Sequence, residues 1–219
     1  MTRLVAAALA AGTLATAIDG GAQPSRPAAG PSPASIDSIF ARYDHTNTPG
    51  CAVGVYRDDR IVFGRGYGMA DLNQGVPIGT STVFYIASTS KQFTAATVAL
   101  LAEDGTISLT DPVRKWIPEL PAYTQPITIA HLVHHTSGIR DYLGLWALSG
   151  RGSADEIPQD MALEMIARRQ ALDFQPGMRY SYSNSGYLLL SEIVKRASGK
   201  SLRDLAAERI FAPLGMSST

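Results

Sequence analysis

The sequence predicts an α+β protein, with a helical lobe beside an antiparallel sheet. Two observations carry that prediction. "CAVGVYR" and "RIVFGRGYG" are rich in β-branched and aromatic residues and flank Asp58-Asp59, a pair suited to a tight turn, so they pair as an antiparallel hairpin. From Ser90 onward the apolar residues recur mostly at helical spacing, so the chain reads as strands first and helices afterwards rather than as an alternation. With 219 residues it can bury one core and carry a second lobe.

The elements follow in order. Met1-Thr2-Arg3, the alanine-rich run Leu4 to Ala17 and the small residues up to Ala22 read as a signal peptide over residues 1–22, with Ala17 or Ala22 before the cut. The alternative is a membrane anchor, but the run is shorter than the roughly 20 residues a bilayer needs, so no stable span is expected. Residues 23–35, rich in Pro, Ala and Ser, read as a linker. Ser35 is placed to cap a short helix from Ile36 to Tyr43. After the hairpin, Ser81 to Ser88 is an extended approach to the helix of "SKQFTAATVALLAEDG". There Phe93, Ala96, Leu100 and Leu101 share a face and Gly105 is the stop. Asp111 before Pro112 reads as an N-cap with proline at the first helical position. Thr128 can cap a helix reaching His135, ended by Thr136-Ser137-Gly138. "PQDMALEMIARRQ", "GYLLLSEIVKRASG" and "SLRDLAAERIFAPLG" are three further helices.

Composition narrows the function. Acidic and basic residues balance at 19 each, which gives no electrostatic case for nucleic acid or an anionic membrane surface. Cys51 is the single cysteine, so an internal disulfide is excluded; opening an apolar strand, it reads as a small buried hydrophobe. "HLVHH" places His131 and His135 one helical turn apart, but no glutamate stands in an H-E-x-x-H pattern and no cysteine cluster accompanies it, so no metal is assigned. Gly64, Gly66 and Gly68 lack the G-K-[ST] of a phosphate loop and mark bulges or close backbone packing instead; no cofactor is assigned.

Two short segments carry chemistry. In "YIASTSKQF", Ser88 and Lys91 stand three apart where extended chain gives way to helix. Residues at that spacing share a helix face, about 5–6 Å between Cβ atoms. A serine hydroxyl needs a base to become a nucleophile, and a lysine in a buried or positively charged setting can lose its proton and serve. The competing reading is that Ser88 or Ser90 only caps the helix. In "FQPGMRYSYSNSGYLLL", Tyr182 and Asn184 stand just before a helix. A phenol beside an ammonium is a proton relay, and an asparagine amide can hold a lysine with its oxygen and a substrate carbonyl with its nitrogen. The competing reading is a turn with Asn184 as the cap.

Ser88-x-x-Lys91 followed by Tyr182-x-Asn184 resembles the serine β-lactamase and penicillin-binding-protein superfamily, nearest its class C β-lactamase-like branch of D-alanyl-D-alanine carboxypeptidases and esterases. "TPGCAVGVYRDDRIVFGRGYGMAD", "ISLTDPVRKWIPELP", "ITIAHLVHHTSGI" and "IFAPLGM" resemble further parts of that family in the right order, from about Ile36 to Thr219. The resemblance implies a β-lactamase/transpeptidase-like fold. It implies Ser88 as the acylated nucleophile, Lys91 assisting its deprotonation and Tyr182 as proton relay. Asn184 would orient Lys91 and the substrate amide, and the Ser88 amide would serve as one oxyanion donor.

The family's third motif, Lys or His followed by Ser/Thr and Gly on a late strand, has no counterpart in these residues. That strand also supplies the second oxyanion donor and completes the sheet beside the hairpin. The expectation is therefore that residues 36–219 are the N-terminal part of a serine hydrolase domain whose last strands are missing from this chain, and that this part alone folds poorly. The function expected is an exported hydrolase, periplasmic or secreted, acting through a serine acyl-enzyme. Its substrate would be a small molecule or peptide: a β-lactam, a D-Ala-D-Ala peptide or a small ester. The alternatives are a non-catalytic module that binds peptide or cell wall with the same fold, or an inactive fragment.

Overall fold

The computed structural model describes residues 30–152 and 155–219, so the expected signal peptide, and the expected linker up to residue 29, lie outside the described residues. The architecture is α+β, and the described residues form two compact units divided between Thr82 and Val83.

The first unit opens with helix α1, Pro33–Phe40, which runs into a 3₁₀ turn, Ala41–Tyr43. Its start corrects the expected boundary. Ser32, not Ser35, is the N-cap, and its hydroxyl accepts the Ser35 N–H at 3.2 Å. Pro33 suits the first helical position because its fixed φ is already helical and its missing N–H would have no partner there. Strands β1, Cys51–Arg57, and β2, Arg60–Tyr67, then pair antiparallel, with Cys51 opposite Tyr67 and Arg57 opposite Arg60. Asp58 and Asp59 both take positive φ, 49° and 58°, the turn whose twist matches that of the strands it joins. Arg65 and Tyr67 of β2 both reach Asp37 of α1, at 2.7 Å each, which ties the helix to the hairpin.

A second short hairpin, β3 (Met69–Asp71) with β4 (Val76–Pro77), has strands too brief to show a period of two in the sequence. The glycine expectation is met at Gly66, where an added Cβ would lie 1.9 Å from the Ile78 carbonyl oxygen. Cys51 corrects another expectation: it is a free thiol only half-buried, because it shares with Val53 and Val55 a half-buried face of β1, while the opposite face is exposed.

The second unit is helical. A 3₁₀ turn, Ala87–Ser90, leads into α2, Lys91–Glu103, and Gly105 follows at φ +74° as expected. The buried stripe of α2 differs from the expected one. It is Thr94, Thr97, Val98 and Leu101, while Ala96 is exposed and Phe93 is half-buried, meeting the Phe211 ring edge-on at 5.0 Å. The Thr97 hydroxyl can go inside because it donates to the Phe93 carbonyl at 2.8 Å. Asp111 lies one residue outside the cap of α3, Val113–Trp116, where Pro112 takes that place. Its carboxylate instead accepts from Lys115, from the Trp116 indole and from the Ser108 amide.

Thr128 does cap α4, Ile129–Val133, in a reciprocal box: its hydroxyl accepts the His131 N–H and the His131 ring accepts the Thr128 N–H. This helix ends before His135, whose φ of +56° is incompatible with continuing it. Helix α5, Tyr142–Leu148, holds a glycine at position 144 and was not evident as a helix in the sequence. Helices α6, Gln159–Ala167, and α7, Asn184–Ser198, follow. The last expected helix divides into α8, Leu202–Ala206, and a π-helical turn, Ala207–Phe211.

Helix α7 is the axis of this unit. Leu189, Leu190, Ile193 and Val194 are wholly inaccessible, packed in one cluster with Val98 and Leu101 of α2, Val113 of α3, Ile129 and Leu132 of α4, Ile166 of α6 and Leu205 of α8. Gly186 lets α4 and α7 approach closely, since an added Cβ would sit 3.3 Å from the Leu132 carbonyl oxygen. Glu192, the buried acid of α7, accepts from Arg196 at 2.7 Å and from Gln159 at 3.1 Å. Among the described residues no helix is long and apolar enough to cross a membrane.

Candidate active site

The chain enters the site in an uncommon backbone state. Ala87 has φ +46°, a left-handed conformation that side chains disfavour, and the next residue is Ser88. The 3₁₀ turn that follows runs directly into α2, with the Lys91 N–H donating to the Ser88 carbonyl. Ser88 and Lys91 therefore lie on adjoining turns, and the Lys91 ammonium donates to Ser88 Oγ at 3.2 Å. The Ser88 amide is among the first N–H groups of the helical run, which have no carbonyl one turn back and point toward a site for negative charge.

The other two expected residues arrive from 94 and 93 positions along the chain. The Tyr182 hydroxyl donates to Ser88 Oγ at 2.6 Å, and Lys91 Nζ donates to Asn184 Oδ1 at 2.9 Å. Ser88 Oγ thus sits between a phenol and an ammonium. Lys91 also lies over the rings of Tyr182 and Tyr187, 4.9 and 5.5 Å from their centroids. The Lys91 ammonium, foremost, and the hydrogen bond with Ser88 hold the Tyr182 phenol below its usual value of 10.0. All four residues predicted from sequence meet at one point. Asn184 differs in detail: Ser183 holds the N-cap position and Asn184 is the first helical residue of α7.

Two residues of the site escaped the sequence reading. Asp141, the N-cap of α5, accepts the Asn184 main-chain N–H and, at 2.9 Å, its side-chain NH₂. His135 packs among Tyr180, Tyr182 and Tyr187, with ring centroids 5.8, 4.6 and 5.0 Å away. Its Nδ1 accepts the Ser183 N–H at 3.1 Å, so the neutral ring carries its proton on Nε2. Beside Tyr182 a cavity of about 240 Å³ is lined by Ile139, Asp141, Gly144, Leu148, Ser181 and the Arg140–Asp173 ion pair.

Burial, and secondarily the Lys91 charge, push the His135 imidazole below 6.5. The unfolded chain then binds a proton that the folded chain resists, so this stabilising term is complete above about pH 6.5 and is lost as the pH falls through and below it. We predict that His135→Gln flattens the fall in melting temperature between pH 7 and 5. Parallel melting curves for the two proteins across that range would refute the assignment.

A serine held by a lysine and a tyrosine, with an asparagine on the lysine, suits acyl transfer. In the comparison with known proteins, residues 36–219 match the beta-lactamase family. The chain belongs to that family. Among curated relatives, a D-aminopeptidase of Cereibacter sphaeroides is 40% identical over 169 residues, covering 77% of this chain and 32% of that protein. Penicillin-binding protein 4* of Bacillus subtilis is 36% identical over 159 residues, covering 73% and 35%. The chain thus spans about a third of the length of these curated relatives. Among solved structures, the octameric penicillin-binding protein homologue from Pyrococcus abyssi superposes with a TM-score of 0.72 at 28% identity, covering 84% of this chain and 42% of the other. The D-amino acid amidase of Ochrobactrum anthropi SV3 in complex with L-phenylalanine superposes at 0.68 with 27% identity, covering 83% and 50%. Against these beta-lactamase-fold structures the α+β reading and the resemblance drawn from the two motifs both hold.

Proposed function

We propose that this protein is an exported serine hydrolase that opens an amide or ester carbonyl through an acyl-enzyme on Ser88, with amides of D-amino acids as the favoured substrates. The observation that carries the reading is the 2.6 Å contact between Tyr182 and Ser88 Oγ, with Lys91 bonded to the same oxygen. When the phenol is ionised, that contact reverses and Ser88 donates its proton to the phenolate. Ser88 Oγ then attacks the carbonyl carbon, and the oxyanion forms against the Ser88 N–H. Tyr182 passes the proton to the leaving nitrogen, whose bond to carbon breaks. In the second half a water loses its proton to Tyr182 and attacks the ester, and Ser88 recovers its hydrogen. Lys91, bonded to Ser88 Oγ and facing the Tyr182 ring, steadies the phenolate and the developing oxyanion.

The preference for D-amino acid amides is supported by two relatives, a D-aminopeptidase and a D-amino acid amidase. Export is supported by the apolar, alanine-rich segment within residues 1–22. The test is covalent trapping: a fluorophosphonate or a fluorescent penicillin should add its mass to the tryptic peptide that contains Ser88. A label found on another residue, or none, would sink the mechanism. Faster hydrolysis of the L-amide than of the D-amide of one amino acid would sink the substrate preference alone.

A further inference from the structure

We propose that Asp141 is a positioning residue that fixes which way round the Asn184 amide faces, and thereby holds Lys91 against Ser88. The inference rests on the reading of Ser88 and Lys91 given above and adds a residue to it.

An asparagine amide is nearly symmetric in shape, and its two ends differ only in what they bond. Lys91 donates and never accepts, so it needs the oxygen end. A carboxylate only accepts, so it needs the nitrogen end. Asp141 supplies that second constraint. Its Oδ2 takes the Asn184 Nδ2 at 2.9 Å and the Asn184 main-chain N–H as well, and this leaves Oδ1 of Asn184 for Lys91 at 2.9 Å. With the amide turned over, an NH₂ would face an ammonium and a carbonyl would face a carboxylate, two repulsive contacts in place of two attractive ones. The second hydrogen on Nδ2 stays free for a substrate carbonyl.

Asp141 is itself held. Its other oxygen accepts the Leu143 N–H at 2.9 Å and caps α5. The residues on either side are stitched to the start of α7. The Ser185 hydroxyl donates to the Arg140 carbonyl at 2.7 Å and accepts the Tyr142 N–H at 2.9 Å, and the Ser183 hydroxyl donates to the Ile139 carbonyl at 3.2 Å. A side chain anchored at this many points can impose an orientation and not merely follow one.

The test is Asp141→Asn. It retains a residue that caps helices about as well as aspartate but has one acceptor oxygen where Asp141 uses two. If that oxygen stays on Leu143, its NH₂ faces Asn184 and favours the overturned amide. Acylation of Ser88 by a fluorescent penicillin should slow by about 10–100-fold, the worth of a hydrogen bond to a charged group, while the melting temperature stays within a few degrees. Because the effect runs through Asn184, the same substitution made on an Asn184→Ala background should slow acylation by less than about 3-fold further.

Wild-type acylation in Asp141→Asn, or a loss that repeats in full on the Asn184→Ala background, overturns the proposal. Ser88→Ala is run beside these. If it still labels, the nucleophile assignment has failed and the proposal falls with it; if it is silent, any failure belongs to Asp141 alone. Should Asp141→Asn not fold, the unmutated protein still decides. One of the two Asn184 side-chain N–H signals in an NMR spectrum should exchange slowly with solvent, and fast exchange of both refutes the lock.

Discussion

Ser88→Ala is expected to abolish covalent labelling and turnover, and Lys91→Met to slow acylation about 10²–10⁴-fold with Ser88 still in place. The two losses differ in kind. Without Ser88 no oxygen remains to form the ester, so no pH or time of incubation restores the adduct. Without Lys91 the nucleophile is present, but the charge that lowers the Tyr182 phenol and faces the developing oxyanion is gone. Tyr182→Phe separates these roles further. In the wild type the base form of Tyr182 increases with pH, so acylation should rise as pH climbs toward the lowered phenol value and level off beyond it. In Tyr182→Phe that rise should vanish, and in Lys91→Met it should move to higher pH, because the leading cause of the lowering has been removed. Stopped-flow acylation across pH 6 to 10 measures all of this. A Lys91→Met protein that keeps both the wild-type rate and the wild-type pH profile would show that Lys91 serves the fold and not the reaction.

How much of this was legible in the sequence depended on the range of the interaction. The Asp58-Asp59 turn, the Thr128 cap and the Gly105 stop are local, set by residues within a few positions of each other, and the sequence places them correctly. So is the Ser88–Lys91 contact, since three-residue spacing brings the pair together in any helix. Tyr182 and Asn184 are another matter. Nothing in their own segment brings them to Ser88; only the ordered resemblance to a family placed them there, and the core around α7 is what delivers them. Asp141 is a residue type that caps helices, yet its contact with Asn184, 43 residues on, has no local signature. The α2 stripe was misread for a physical reason as well. Two threonines take buried positions that an apolar count leaves out, and at Thr97 a bond to the backbone of the same helix makes that burial affordable.

The same helix that carries Asn184 also carries the core, and a second large effect should separate the two duties. Leu190 is wholly buried near the middle of α7, two turns beyond the site, and is packed in one cluster with side chains from α2, α3, α4, α6 and α8. Leu190→Ala removes three carbons and leaves a cavity that those neighbours, themselves anchored on separate helices, can only partly fill. The expected cost is about 2–5 kcal/mol of stability, a large part of the roughly 5–15 kcal/mol a folded domain has. It should appear as a melting temperature lower by about 4–20 degrees. The first turn of α7 is fixed differently, by the polar stitches from Ser183, Asn184 and Ser185 to residues 139–142, and none of these involves Leu190. At a temperature where Leu190→Ala is still folded, its acylation rate per folded molecule should therefore equal that of the wild type. Asp141→Asn should show the reverse, a slow reaction in a protein that melts normally. If Leu190→Ala slows acylation in proportion to its loss of stability, the site is a by-product of core packing and the polar stitches do not hold it independently.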